Sequence, residues 1–280
     1  MKTLPLLLLL PALLPLAHVH CTSNAVQAPA ALAVPTPDSL LYLRFSPPAG
    51  YARVRVDSSS FTHYLRHLPL KPPGSPVLYH NGGEKTNAGV YDAVVNLPIG
   101  SKDLHQCADA VIRLRAEYLW RQGKYDQISF RFTNGFPVDY AHWRRGGRVK
   151  VFLNEASWEE SAAPSNSYDT FWAYLEKVFQ YAGTLSLSKE LKPVPLQDIS
   201  PGDVFILGGS PGHAVIVVDV AQNDRGQKVF LLAQSYMPAQ EIQILKNPKD
   251  PGLSPWYAAD VGETLETPEW TFRGADLKRW

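Results

Sequence analysis

The sequence predicts an α+β protein in which a helix bearing a cysteine packs on an antiparallel sheet. Three observations predict it. An amphipathic run opens at Ser101-Lys102-Asp103-Leu104 and continues to about Gly123, with Leu104, Cys107 or Ala108, Val111, Leu114 or Arg115, and Tyr118 recurring at helical spacing. A second helical run, Tyr168–Tyr181, is rich in aromatics and reads as core. Three apolar runs, Val204–Leu207, Ala214–Val220 and Val229–Gln234, read as strands, the last two joined by the hairpin turn Gln222-Asn223-Asp224-Arg225-Gly226.

Taken in chain order, residues 1–20 (MKTLPLLLLLPALLPLAHVH) have the pattern of an export signal: one lysine precedes an apolar run that is short and broken by proline. Ser23-x-Ala25 offers a cleavage site, so residues 1–25 are assigned to a signal peptide. Cys21 offers a lipid-attachment site, and the chain is expected in the periplasm or cell envelope, soluble or anchored through Cys21. Residues 26–50 are an Ala/Pro-rich linker, and residues 51–280 are expected to form one domain. Within it, Tyr51–Val56 alternates as a strand, and Ser60–Leu68 is a short helix capped by serine and stopped by Pro69. Asn81-Gly82-Gly83 marks a hairpin, Val90–Leu97 a strand, Ile128–Phe132 another strand, and Thr133–Pro137 a turn.

Composition excludes several function classes. The chain has 280 residues, 45% of them hydrophobic, with a formal net charge of +1, so no basic excess points to nucleic acid. No histidine spacing suggests a metal site, and no phosphate-loop or cofactor motif is present; Gly208–Gly212 is followed by neither Lys-Ser/Thr nor a helix. Membrane contact is expected only through an anchor at Cys21. The pairs Asp109–Arg113 and Arg113–Glu117 are read as a solvated helix face, His105 as facing solvent, and Tyr140–Gly146 as a surface loop in preference to a cleft lining with Arg144 and Arg145.

Once Cys21 is removed or lipidated, Cys107 is the one thiol of the mature chain. It lies in the first turns of its helix, where free N–H groups and the dipole favour a thiolate. His213 opens a strand directly after Gly208-Gly209-Ser210-Pro211-Gly212, and residues 213, 215, 217 and 219 are expected on one face of that strand. Gln234 on the next strand is the candidate to orient the imidazole, with Asp219 and Ser235 behind it. Gln106 could donate its side-chain amide toward an oxyanion, with the Cys107 N–H as a second donor and the Tyr91 hydroxyl as a remote one. Cysteine as nucleophile and histidine as base are the parts of a thiol hydrolase.

Gln106-Cys107-Ala108 opening a helix, Pro201-Gly202-Asp203 before a strand, and Gly212-His213-Ala214-Val215-Ile216-Val217 together resemble the NlpC/P60 and CHAP cysteine hydrolases. That resemblance implies a papain-like core and hydrolysis of peptide or amide bonds, commonly in peptidoglycan. Over a longer span, Leu104–Leu119, Thr133–Phe136, Tyr181–Leu187, Pro211–Val217 and Leu232–Met237 resemble an exported bacterial family, domain-of-unknown-function family 4846. The chain departs from the hydrolase pattern where Ala108-Asp109 follow the cysteine, since a like charge at Asp109 raises a thiol's pKa. The expected function is a Cys–His hydrolase of amide bonds in cell-wall peptides, without cofactor or metal, whose partner is a peptide or peptidoglycan fragment. Two alternatives stay open: an inactive cell-envelope binding module, and a lipid-anchored structural protein.

Overall fold

A computed structural model describes residues 38–280; the expected signal peptide, Cys21 and residues 26–37 lie outside the described residues. One open sheet of nine strands, every pair antiparallel, organises the fold. Its path is β2 (Tyr91–Val94), β11 (Gln243–Leu245), β10 (Lys228–Gln234), β9 (His213–Gln222), β8 (Val204–Leu207), β15 (Leu277–Arg279) and β7 (Lys192–Pro193). β1 (Ala52–Arg53) adds to β9, and β12 (Tyr257–Ala258) adds to β10. Three hairpins stand off the sheet: β3 (Ser129–Arg131) with β4 (Pro137–Asp139), β5 (Gly147–Phe152) with β6 (Glu155–Glu160), and β13 (Thr264–Glu266) with β14 (Thr271–Arg273). The helices are α1 (Leu41–Arg44), α2 (Phe61–Arg66), α3 (Cys107–Arg121), α4 (Tyr140–Arg144), α5 (Tyr168–Tyr181) and α6 (Thr184–Glu190).

This arrangement overturns the papain-like core expected from the resemblance. The described chain is mostly antiparallel sheet with few helices, and the sheet is extended on both sides of the motif-bearing strands. The physical reason lies after residue 242. β11, β12 and β15 are two or three residues long, too short for periodicity to mark, yet they supply three of the nine strands.

β9 is the centre of the fold. Nine of its ten residues are buried, because apolar side chains cover both of its faces. Ala214, Ile216, Val218 and Ala221 join the core beneath α3 and α5, together with Val111, Phe171 and Val178. Val215, Val217 and Val220 join a second core on the opposite face with Phe230, Tyr257, Leu265 and Phe272. Each such side chain removed from water contributes about 1.5–3 kcal/mol.

A β-bulge corrects one expectation about faces. Leu231 lies opposite Asp219 but Leu232 lies opposite Val217, so Val218 is the extra residue. Residues 213, 215 and 217 therefore share a face with Val220, and Asp219 turns away from His213. There it is fully buried and pairs with Arg53 at 2.5 Å and Arg66 at 2.7 Å.

The helices follow local chemistry. Ser60 caps α2 by accepting the N–H of His63, and Ser167 caps α5 by accepting that of Thr170. α1 falls within the stretch expected as linker, but Leu41 is fully buried and its N–H donates to the Leu68 carbonyl, so this stretch packs on the domain. The face of α3 expected in water is also inside. Arg113 and Glu117 are both 0% exposed, Trp172 stacks 4.8 Å over the Arg113 guanidinium, and the Tyr168 hydroxyl donates to Glu117. Of the two i,i+4 pairs read from the sequence, Arg113–Glu117 forms, at 3.6 Å and covered by α5, whereas no ion pair joins Asp109 to Arg113 among the described residues.

Candidate active site

Cys107 is the first residue of α3, and Gln106 is its N-cap in extended conformation. The Asp109 carboxyl accepts the Gln106 N–H at 3.0 Å, which fixes the start of the helix. His213 is the first residue of β9. Gly212 before it is required sterically: a Cβ there would lie 2.5 Å from the Thr184 hydroxyl and 2.7 Å from the Leu207 carbonyl. The chain can thus pass close to α6 and deliver His213 to the same place as Cys107.

Both residues line one cavity of about 580 Å³, together with Gln106, Asp109, Tyr236 and Trp270. That volume suits a small organic or peptide ligand. Asp103 also lines it, and among the described residues no lysine or arginine does.

The electrostatics differ from an activated ion pair. Burial pushes the Cys107 thiol up to about 11, and the like charge of Asp109 adds to this. The backbone N–H groups of Ala108, Ala214 and Cys107 pull in the opposite direction and are outweighed. Burial pulls His213 down to about 4, against the opposing hydrogen bond to Gln234. The expectation that the helix start lowers the thiol pKa is therefore reversed by desolvation. Asp109 is only 6% exposed, and burial holds its carboxyl well above the usual range. Among the described residues its second oxygen, Oδ1, has no hydrogen-bond partner.

The sequence-derived candidates separate clearly. Gln234 accepts from His213 Nε2 at 2.8 Å, in the place expected for it. Gln106 lines the cavity, but its amide donates to Asp103 at 3.2 Å rather than toward the thiol. No hydrogen bond joins Cys107 to His213 among the described residues, although apo geometry of this kind commonly tightens only on binding. Ser235 donates to the carbonyls of His105 and Gln240, and the Tyr91 hydroxyl accepts the Val77 N–H, so both serve the scaffold. His105, expected in solvent, is 1% exposed and held down to about 3 by burial. Tyr140–Arg144, expected as a loop, is helix α4, with Tyr140 fully buried.

Residues 41–279 match the family described as Domain of unknown function (4846). The chain belongs to this family. The match takes in α3, β9 and β10 and also the C-terminal hairpin, so the family's extent includes every wall of the cavity. No curated protein and no solved structure matches the chain. The likeness to NlpC/P60 and CHAP hydrolases thus gains nothing beyond the short motifs that suggested it.

Several site residues of this family member escaped the sequence reading. Trp270, Tyr236 and Phe272 surround the His213 ring at centroid distances of 5.3, 4.8 and 6.0 Å. Glu269 accepts from the Gln234 amide nitrogen at 2.6 Å, and Lys85 donates to both Glu269 oxygens at 2.8 and 2.9 Å. Lys85 also donates to Gln240 at 2.9 Å. The only signal for these contacts was the Gln234-Ser235-Tyr236 run itself; nothing local links Lys85 or Glu269 to it.

Proposed function

We propose that the chain hydrolyses amide bonds through Cys107 and His213. The observation that supports this reading is a free thiol at a helix start, facing one cavity with a histidine whose far nitrogen is already engaged by Gln234. Because both groups are neutral at rest, the step is general-base catalysis rather than attack by a standing thiolate. Sγ of Cys107 bonds to the substrate carbonyl carbon as its proton passes to Nδ1 of His213. The C–N bond then breaks, His213 returns that proton to the departing amine, and water cleaves the thioester to a free acid and the original thiol. The Cys107 N–H can receive the developing oxyanion; Gln106 joins it only by releasing Asp103.

The substrate class we propose is a peptide of the cell envelope, met after export. The support for this is the signal pattern of residues 1–20 and a cavity of about 580 Å³, large enough for a short peptide. A second reading, a binding module without turnover, is favoured by the raised thiol and lowered imidazole pKa values. Intact-mass analysis after acid quench of the full chain with cell-wall peptides separates the two. An acyl adduct on Cys107, absent in Cys107→Ala and reduced in His213→Ala, is the expected result. Saturable binding with no adduct at any time point assigns the chain to the binding reading.

A further inference from the structure

Glu269 and Lys85 lie outside the Cys–His mechanism, yet they determine which way its parts point. Glu269 sits in the turn between β13 and β14, next to Trp270. Lys85 lies on a separate loop, and its side chain is 3% exposed, against 15% for Glu269. A carboxylate paired with an ammonium only accepts hydrogen bonds. The group that Gln234 turns toward Glu269 must therefore be its NH2, and its carbonyl oxygen is left facing His213. An oxygen can only accept, so the proton on the imidazole is on Nε2. Nδ1 then holds the lone pair, and it has no hydrogen-bond partner among the described residues.

We propose that Glu269, clamped by Lys85, is a positioning residue: it fixes the Gln234 amide and through it the Nε2–H tautomer of His213. Without the carboxylate, the amide can rotate by half a turn and present NH2 to the ring, so that Nε2 accepts, the proton moves to Nδ1, and Nδ1 can no longer take one from the thiol. The contribution to turnover rests on the catalytic reading above; the tautomer does not. Burial is what chiefly holds the His213 ring neutral, and the charge of Lys85 acts in the same direction.

The test is long-range nitrogen–proton correlation spectroscopy of the His213 ring at pH 7 in the full chain, alongside peptide acylation of Cys107. Wild type gives the signature of a single Nε2–H tautomer. Glu269→Ala gives a mixture or the opposite tautomer, with acylation slowed on the order of 10–100-fold. Because Glu269→Ala leaves Lys85 short of its carboxylate, the double variant Lys85→Met with Glu269→Leu removes both charges and gives the same spectrum without an unpaired buried ion. Glu269→Gln keeps an oxygen that can accept from both Lys85 and Gln234, and retains the wild-type tautomer. Unchanged Nε2–H spectra in Glu269→Ala and in the double variant overturn the positioning role, whatever Cys107 does with peptides. A wild-type chain that never acylates, but shows these ring spectra, leaves the positioning role standing and sinks only the catalytic reading.

Discussion

His213 and Gln234 meet diagonally across the β9–β10 pair, 2.8 Å apart, although neither is opposite the other in register. Ala233 faces Ile216, which places Gln234 one step further along, on the face that β9 shares with Val215 and His213. The contact needs no loop to adjust: two strands of the buried sheet hold both ends.

The thiol itself is the first object to measure. With burial and Asp109 both opposing ionisation, iodoacetamide alkylation of Cys107 should titrate with a midpoint near 11, above the ordinary 9.0. His213→Ala should leave that midpoint in place, because a neutral ring offers no charge to stabilise the thiolate. Asp109→Asn should lower it by roughly one unit. A wild-type midpoint below the ordinary thiol value would contradict the burial argument.

Acid should weaken the fold through its buried histidines. His105 and His213 stay neutral down to about 3 and about 4, whereas the unfolded chain protonates both near 6.5. The unfolded state then binds more protons as pH falls through this window, so stability falls, by at most about 1.4 kcal/mol per pH unit for each histidine. Urea midpoints between pH 7.5 and 4 should show the loss, and His105→Asn should flatten it. A slope identical to wild type in that variant would remove His105 from the account.

Asp109 acts in the opposite sense. Its folded form keeps a proton that the unfolded chain releases above about 3.8, so its contribution is present in acid and is lost as pH rises. Asp109→Asn retains an oxygen for the Gln106 N–H and carries no charge. The variant should therefore gain stability relative to wild type at pH 9 compared with pH 4. Parallel denaturation curves at the two pH values would show that the carboxyl ionises without cost.

The bulge can be tested through the residue it turns. Asp219→Ala removes the partner of Arg53 and Arg66, leaving charge in a site where the carboxylate was fully buried. A loss of about 3–5 kcal/mol in urea unfolding is expected. Far smaller losses, under about 1 kcal/mol, would mean the arginines reach water when released.

The residues that sequence placed well are those governed by local rules. Ser60 and Ser167 cap helices where capping chemistry puts them, Tyr168–Tyr181 holds its full span, and Val204–Leu207 forms the strand read from it. Gln234 was legible because period-two counting works on its side of the bulge. Asp219 was not, since a single extra residue at Val218 reverses the parity and nothing in a run of valines marks it. Arg113 and Glu117 look like a wet helix face until α5 covers them, which is a fact of tertiary packing. Lys85 and Glu269 meet across 184 positions of chain, a separation no local pattern reports. The thiol pKa was misjudged for the same reason: proximity to a helix start is local, but desolvation is set by everything around it.

The place of β15 in the sheet also sets a schedule. Residues 277–279 pair with β8 on one side and β7 on the other, so an interior strand is made after the eight others of its sheet. Until they arrive, β8 presents a bare edge of unpaired N–H and C=O groups, with the His213 strand directly behind it. Glu269 and Trp270 are equally late. A nascent chain therefore holds Cys107 and His213 before it holds the Trp270 that completes the cavity wall and the strand that covers the edge of β8.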